Sequence, residues 1–217
     1  MAESRSIRAV LFDLDGTLVD SAPDLFAALA WLRSERGLPA LQYAALRCYA
    51  SRGAMGMIEA GFADRPELDR APLHEQFLRY YSKNLWVASR PFAGIERLLD
   101  DLVERGLSVA VVTNKPECLA KPLISAAGWD EHFGWVIGGD STACPKPHPA
   151  PVLEACRRLG VHPGQALMVG DDARDIDAGR RAGSATAAAT WGYVAPGEQP
   201  HEWGADQVVD NPTEIQF

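Results

Sequence analysis

The sequence predicts an α/β fold: a parallel sheet flanked by helices, with a small α-helical cap inserted after the first strand. Three observations carry this. Short apolar runs rich in Val, Leu and Ile recur at residues 9–14, 107–113, 135–138, 166–170 and 184–188, and they barely alternate, as strands buried on both faces do. Helical stripes between these runs stop at glycines suited to a left-handed cap. Leu98, Leu99, Leu102 and Val103 lead to Gly106, residues 152–159 to Gly160, and residues 175–182 to Gly183. Helix, glycine and strand in this rhythm build a parallel, Rossmann-like sheet. Residues 20–90 break the rhythm.

That segment holds helical stripes and no strand pattern: Leu25, Leu29 and Leu32; Ala54, Ile58 and Phe62; Leu73, Phe77 and Tyr80. Roughly seventy residues between the first two strands exceed a normal crossover, so an inserted helical cap is the better reading. Pro39, Pro66, Pro72 and Pro91 mark turns around its helices. The expected organisation is a core of residues 1–19 and 91–217 that carries the site, and a cap of residues 20–90. Gln207–Val209 reads as an edge strand, and Pro122 predicts a kink or a late start in its helix.

Composition narrows the function classes. The 217 residues are 47% hydrophobic and 23% charged, enough for a real core. A net charge of -8 argues against nucleic acid or an anionic membrane as partner. The four cysteines have no CxxC spacing, which fits a reducing compartment and makes zinc ligation improbable. No apolar run reaches the roughly 18 to 20 residues of a membrane span, and the N-terminal stretch has no leader pattern. A soluble cytoplasmic protein, monomer or homodimer, is expected.

The strand ends carry the chemistry. The first run closes in Phe12, Asp13, Leu14, Asp15, Gly16 and Thr17; the second in Val112, Thr113 and Asn114. Lys146 follows the third, and the fourth closes in Gly170, Asp171 and Asp172, with Asp175 beyond. Carboxyl ends of parallel strands converge where such folds bind ligands. A lone Asp-x-Asp after a strand could be a helix cap or a turn. Carboxylates gathered with a lysine, a hydroxyl and an amide solve one problem, bringing an anionic phosphoryl group to an anionic nucleophile. Clustered carboxylates without histidine or thiolate suit Mg2+. Lys146 adds a point charge, and Thr113 with the Asn114 backbone offers donors to phosphoryl oxygens.

Asp13–Thr17 as DLDGT, Thr113 and Asn114 as TN, Lys146 as KP and the GDDARD segment ending at Asp175 resemble the four motifs of the haloacid dehalogenase superfamily. The resemblance implies a phosphatase in which Asp13 is the nucleophile, Asp15 the acid/base and Lys146 the catalytic counter-charge. It implies Mg2+ held by the Asp13 carboxylate, the Asp15 backbone carbonyl and Asp171, with Asp172 and Asp175 in support. The aspartate at position 15 separates the chain from the metal-free dehalogenases. Within the phosphatases it resembles the phosphoglycolate phosphatase group. A bacterial subgroup acting on N-acetylmuramic acid 6-phosphate is similar through Asn114, Lys115 and Pro116 and the tail Trp191, Gly192 and Tyr193. The expected substrate is N-acetylmuramic acid 6-phosphate or 2-phosphoglycolate; both carry a carboxylate, for which Arg52 is the candidate cap cation. A sugar-phosphate mutase and a non-catalytic ligand-binding homologue are the alternatives.

Other residues take bland readings. His148 is expected in a loop, and Trp31, Trp86, Trp129 and Trp135 in cores or domain seams. Cys144 reads as an incidental thiol, and the charges from Arg174 to Arg181 as the solvated face of a helix.

Overall fold

The computed structural model describes residues 6–217. The leader reading and the first residues of the expected core fall partly on residues 1–5, outside the described residues. In chain order the elements are β1 (Ala9–Phe12), β2 (Val19–Asp20), α1 (Ala22–Ser34), α2 (Tyr43–Leu46), α3 (Gly53–Gly61), α4 (Arg70–Tyr81) and β3 (Arg90–Pro91). Next come α5 (Ile95–Glu104), β4 (Ser108–Val112), α6 (Glu117–Ala126), β5 (Trp135–Ile137), α7 (Ala150–Leu159), β6 (Ala166–Gly170), α8 (Ala173–Ala182), β7 (Ala185–Ala189) and β8 (Gln207–Val209). Six strands form one sheet in the order β5-β4-β1-β6-β7-β8, all paired in parallel. The predicted fold class holds.

Alternation along β1 divides the core between the two faces of the sheet. Val10 and Phe12 join Leu98, Leu99 and Leu102 of α5 and Leu123 of α6 on one side. Ala9 and Leu11 meet Val152, Ala155 and Cys156 of α7 and Ala178 of α8 on the other. Burial on both faces explains why the runs do not alternate in hydropathy. Gly106, Gly160 and Gly183 take positive φ of 69°, 68° and 81° as their helices end.

Between β2 and β3 lie the four cap helices. The two short strands pair antiparallel, Val19 with Pro91 and Asp20 with Arg90, so the chain leaves for the cap and returns at one place. The cap has its own core of Leu25, Leu29, Leu32, Ile58, Phe62, Leu73 and Phe77, with Leu119 and Tyr193 from outside it. Asp24, at 2% exposure, fastens α1 to the returning chain: it accepts from the backbone N–H groups of Val87, Ala88 and Ser89 and from the Ser89 hydroxyl.

Two local expectations are corrected. Pro122 sits inside α6 without delaying its start at Glu117, because the first turn is already closed on Pro116 O by the Leu119 and Ala120 N–H groups. Trp135 is 43% exposed, because β5 is the sheet's edge, and its ring is covered by the Arg158 guanidinium at 4.8 Å. No helix among the described residues is long and apolar enough to cross a membrane.

Candidate active site

β1 lies between β4 and β6, where the chain's two directions of sheet growth part, so the ends of β4, β1 and β6 open on one crevice. Asp13 extends β1 by donating its N–H to Val169 O at 2.9 Å. The chain then turns sharply: Gly16, at φ 93°, donates to Val19 O at 2.9 Å. A Cβ at Gly16 would stand 2.1 Å from Asp171 Oδ2, and one at Gly192 would stand 2.4 Å from Asp171 Cβ. Backbone thus wraps the Asp171 side chain closely.

Lys146 is 3% exposed, and each of its ammonium protons has an acceptor: Asp13 Oδ1 at 2.8 Å, Asp175 Oδ1 at 2.6 Å and Val112 O at 2.6 Å. Burial opposes its charge, but Asp13 and Asp175 outweigh that, and its pKa is raised. Asn114 positions the lysine, donating from Nδ2 to Lys146 O and accepting the Lys146 N–H at Oδ1, both at 2.9 Å.

Asp171 is 1% exposed and accepts from Thr17 Oγ1 at 2.9 Å and Tyr193 N–H at 2.8 Å. Its pKa is raised well above the usual carboxylate range by burial and by neighbouring Asp13 and Asp175. Asp175 sits at the third position of α8, where it accepts the Asp172 N–H in a capping box. Burial pushes it up to about 7 against the pull of Lys146. Asp13, Asp171 and Asp175 bring one carboxylate oxygen each within 4.8 Å of one another. Three carboxylates share one ammonium there, and burial drives two of them toward protonation. A divalent cation would offset that excess, and an all-oxygen set fits a hard one.

Asp15 faces another way. Its carboxylate accepts from Ser21 Oγ at 2.5 Å and from Lys115 Nζ at 3.0 Å on both oxygens, while Lys115 also donates to Tyr81 Oη at 2.9 Å. Burial opposes the Lys115 charge, Asp15 and Tyr81 outweigh it, and the lysine's pKa is raised. The Tyr81 hydroxyl is pushed up to about 12, chiefly by burial.

A cavity of about 250 Å³ joins these groups to the cap. Asp13, Asp15, Thr113, Asn114 and Lys146 line it from the strand ends, Arg52 and His74 from the cap, with Leu25, Met55, Leu78 and Leu119 as apolar wall. Asp171 is not in the lining; it backs Asp13 from behind. Arg52 ends the 3-10 stretch Arg47–Arg52 and lies over the Tyr49 ring at 5.8 Å.

Several site groups escaped the sequence reading. Arg174 is not on a solvated face: it grips Asp172 from Nε and Nη2, each at 2.8 Å, and donates to Ser51 O of the cap at 2.8 Å. Tyr193 donates to Asp20 Oδ1 at 2.8 Å and accepts the Ala22 N–H at 2.9 Å, which gives the tail motif a physical task at the cap's entry. Ser21 and Tyr81 lack a local signal. Lys115 had one, its place directly after a strand end.

Comparison with known proteins agrees with this geometry. Residues 7–183 match the haloacid dehalogenase-like hydrolase family. An N-acetylmuramic acid 6-phosphate phosphatase of Pseudomonas aeruginosa is 42% identical over 96% of this chain and 93% of its own length. A phosphoglycolate phosphatase of Xanthomonas campestris is 44% identical over 96% of this chain and 94% of its own. The crystal structure of a predicted phosphoglycolate phosphatase from Haemophilus somnus superposes with a TM-score of 0.84 at 32% identity, covering 95% of both chains. With its parallel sheet, inserted cap and acidic crevice, the chain belongs to the haloacid dehalogenase-like hydrolases. Within them it is a phosphatase of the phosphoglycolate phosphatase-like group.

Proposed function

We propose that the chain is a magnesium-dependent phosphomonoesterase acting through an aspartyl-phosphate on Asp13, with N-acetylmuramic acid 6-phosphate as substrate and 2-phosphoglycolate as the second reading. The observation that carries it is the Asp13–Lys146 pair, 2.8 Å long, lining a cavity beside two further buried carboxylates. In this reading residues 1–19 and 91–217 are the core and residues 20–90 the cap, in a cytoplasmic monomer or homodimer. Four free thiols suit a reducing cytoplasm.

An Asp13 oxygen bonds to phosphorus as the ester P–O bond breaks, and Asp15 gives its proton to the leaving oxygen. Asp15 then takes a proton from the water that cleaves the acyl-phosphate, and inorganic phosphate leaves. Lys146 balances the charge at Asp13, while the Thr113 hydroxyl and Asn114 backbone N–H serve the phosphoryl oxygens. Asp13, the Asp15 backbone carbonyl and Asp171 would hold Mg2+, with Asp172 and Asp175 in support. When bound, the ion offsets the negative charge of the carboxylates and the phosphoryl group.

Arg52 supports a substrate with a second anionic group. Lys146, Lys115 and Arg174 each face a carboxylate, whereas Arg52 pairs with none among the described residues. Both candidate substrates carry a carboxylate. The apolar wall favours the larger one, since N-acetylmuramic acid offers a ring, an acetyl and a lactyl methyl where phosphoglycolate offers one methylene.

The test is phosphate release by wild type and Asp13→Asn, with Mg2+ and with chelator, on both candidates and on a glucose phosphate. Wild type alone should turn over, only with metal, and with the highest kcat/KM on N-acetylmuramic acid 6-phosphate. Turnover by Asp13→Asn, or an inert wild type, sinks the reading; phosphate returned to sugar without release of inorganic phosphate would point to a mutase.

A further inference from the structure

Lys115 lines the same cavity, and the proposed phosphoryl chemistry gives it no task. Its backbone is held on both sides, the N–H donating to Thr113 Oγ1 at 3.2 Å and the carbonyl accepting from Gly139 N–H at 2.9 Å. The ammonium spans both oxygens of Asp15, and the two side chains are 5% and 13% exposed. Desolvating such a pair offsets much of its attraction, so stability alone is a weak reason to keep it. A third acceptor lies in the cap: Tyr81, the last residue of α4, at 1% exposure. Ser21, just before α1, holds Asp15 Oδ1 from the other side. The Asp15 carboxylate is therefore anchored by one core lysine that touches the cap and one serine at the cap's entry.

We propose, building on the reading of Asp15 as the acid/base group, that Lys115 is a positioning residue. It fixes the Asp15 carboxyl for proton transfer and, through Tyr81, makes that placement depend on the cap being seated. The proton balance defines the task. Asp15 loses its proton to the leaving alkoxide in the first step and regains one from water in the second. Between the two it is a carboxylate that must not rotate away, and an ammonium bonded to both oxygens prevents that; in the protonated form Oδ2 carries the proton while Lys115 and Ser21 keep Oδ1.

Leaving groups separate this from a structural part. An alkyl phosphate needs its leaving oxygen protonated, whereas p-nitrophenolate departs without a proton. The experiment compares kcat/KM on p-nitrophenyl phosphate and on the faster of the two candidate substrates, with Mg2+, for wild type, Lys115→Met and Tyr81→Phe. The alkyl-to-aryl ratio should fall about 30-fold in Lys115→Met and about threefold in Tyr81→Phe, a share of the 10²–10⁴ that acid–base catalysis contributes. Tyr81→Phe keeps the ring and its packing, so it reports even where Lys115→Met folds poorly. Ratios that stay at the wild-type value in both variants, including equal losses on both substrates, overturn the proposal. A wild type inert on every substrate overturns the phosphatase reading beneath it, a distinct result.

Discussion

The core edge and the cap use polar side chains in opposite ways. At the core edge Asp13 and Asp171 stand just after strands whose register the parallel ladder fixes, Asp175 in the first turn of α8 and Lys146 in the loop between β5 and α7, and they face one another. In the cap the buried polar groups fasten backbone. Arg33 donates to Gly61 O, Pro39 O and Asp64, and Asp24 gathers three consecutive N–H groups of the returning chain. The core concentrates like charge at the expense of easy ionisation, while the cap satisfies every group it buries there. Substitutions in the first region should therefore be read in turnover, and those in the second in stability or KM.

Lys146→Met should give the largest effect. With the ammonium gone, the carboxylate cluster repels the phosphoryl group, and kcat for phosphate release at saturating substrate should fall about 10³-fold. A kcat within a few fold of wild type would take the charge-balancing part away from Lys146. Asp24→Ala should come next, costing about 3 kcal/mol in urea unfolding, because the buried Ser89 N–H and hydroxyl and the part-buried N–H groups of Val87 and Ala88 lose their acceptor. Loss below about 1 kcal/mol would mean that water takes over the carboxylate's bonds.

Arg52→Met sharpens the contrast inside the cap. KM should rise about tenfold for the carboxylate-bearing substrates with kcat kept, the mark of lost uniform binding, and stay level for a glucose phosphate. An equal rise on all three would make Arg52 a general wall of the cavity. Asp64→Asn should have the smallest effect and a definite pH sign. The hydrogen bond from Arg33 holds the Asp64 carboxyl below its ordinary 3.8. A depressed folded pKa adds stability above the unfolded value and loses it as pH falls through the folded one. The gap in thermal stability between wild type and Asp64→Asn should be open at about pH 6 and close below about pH 4.

The sheet was legible because burial on both faces leaves unbroken apolar runs, and because Gly106, Gly160 and Gly183 end their helices in a conformation that favours glycine. The two-residue strands β2 and β3 were not, since nothing in Val19–Asp20 or Arg90–Pro91 shows a period. The same division runs through the site. Asp13, Asp171 and Asp175 could be expected together because each stands at or just past a strand end. The partners of Lys115, Tyr81, Ser21 and Tyr193 could not, because they lie in other segments and only the folded chain brings them together. Arg174 misled for a related reason. Alternating charge looks the same on a helix whether its first turn faces water or, as here, the cap's Ser51.

The close wrapping of Asp171 ties three distant positions into one unit of inheritance. Asp171 cannot lengthen to Glu unless the chain at Gly16 or Gly192 recedes, and neither glycine can gain a methyl while the carboxylate stays. Each locks the other two against drift. Gly192 stands beyond the segment that matches the family, so a tail exchanged after residue 183 would have to bring its own glycine to this spot before the acidic crevice could close again.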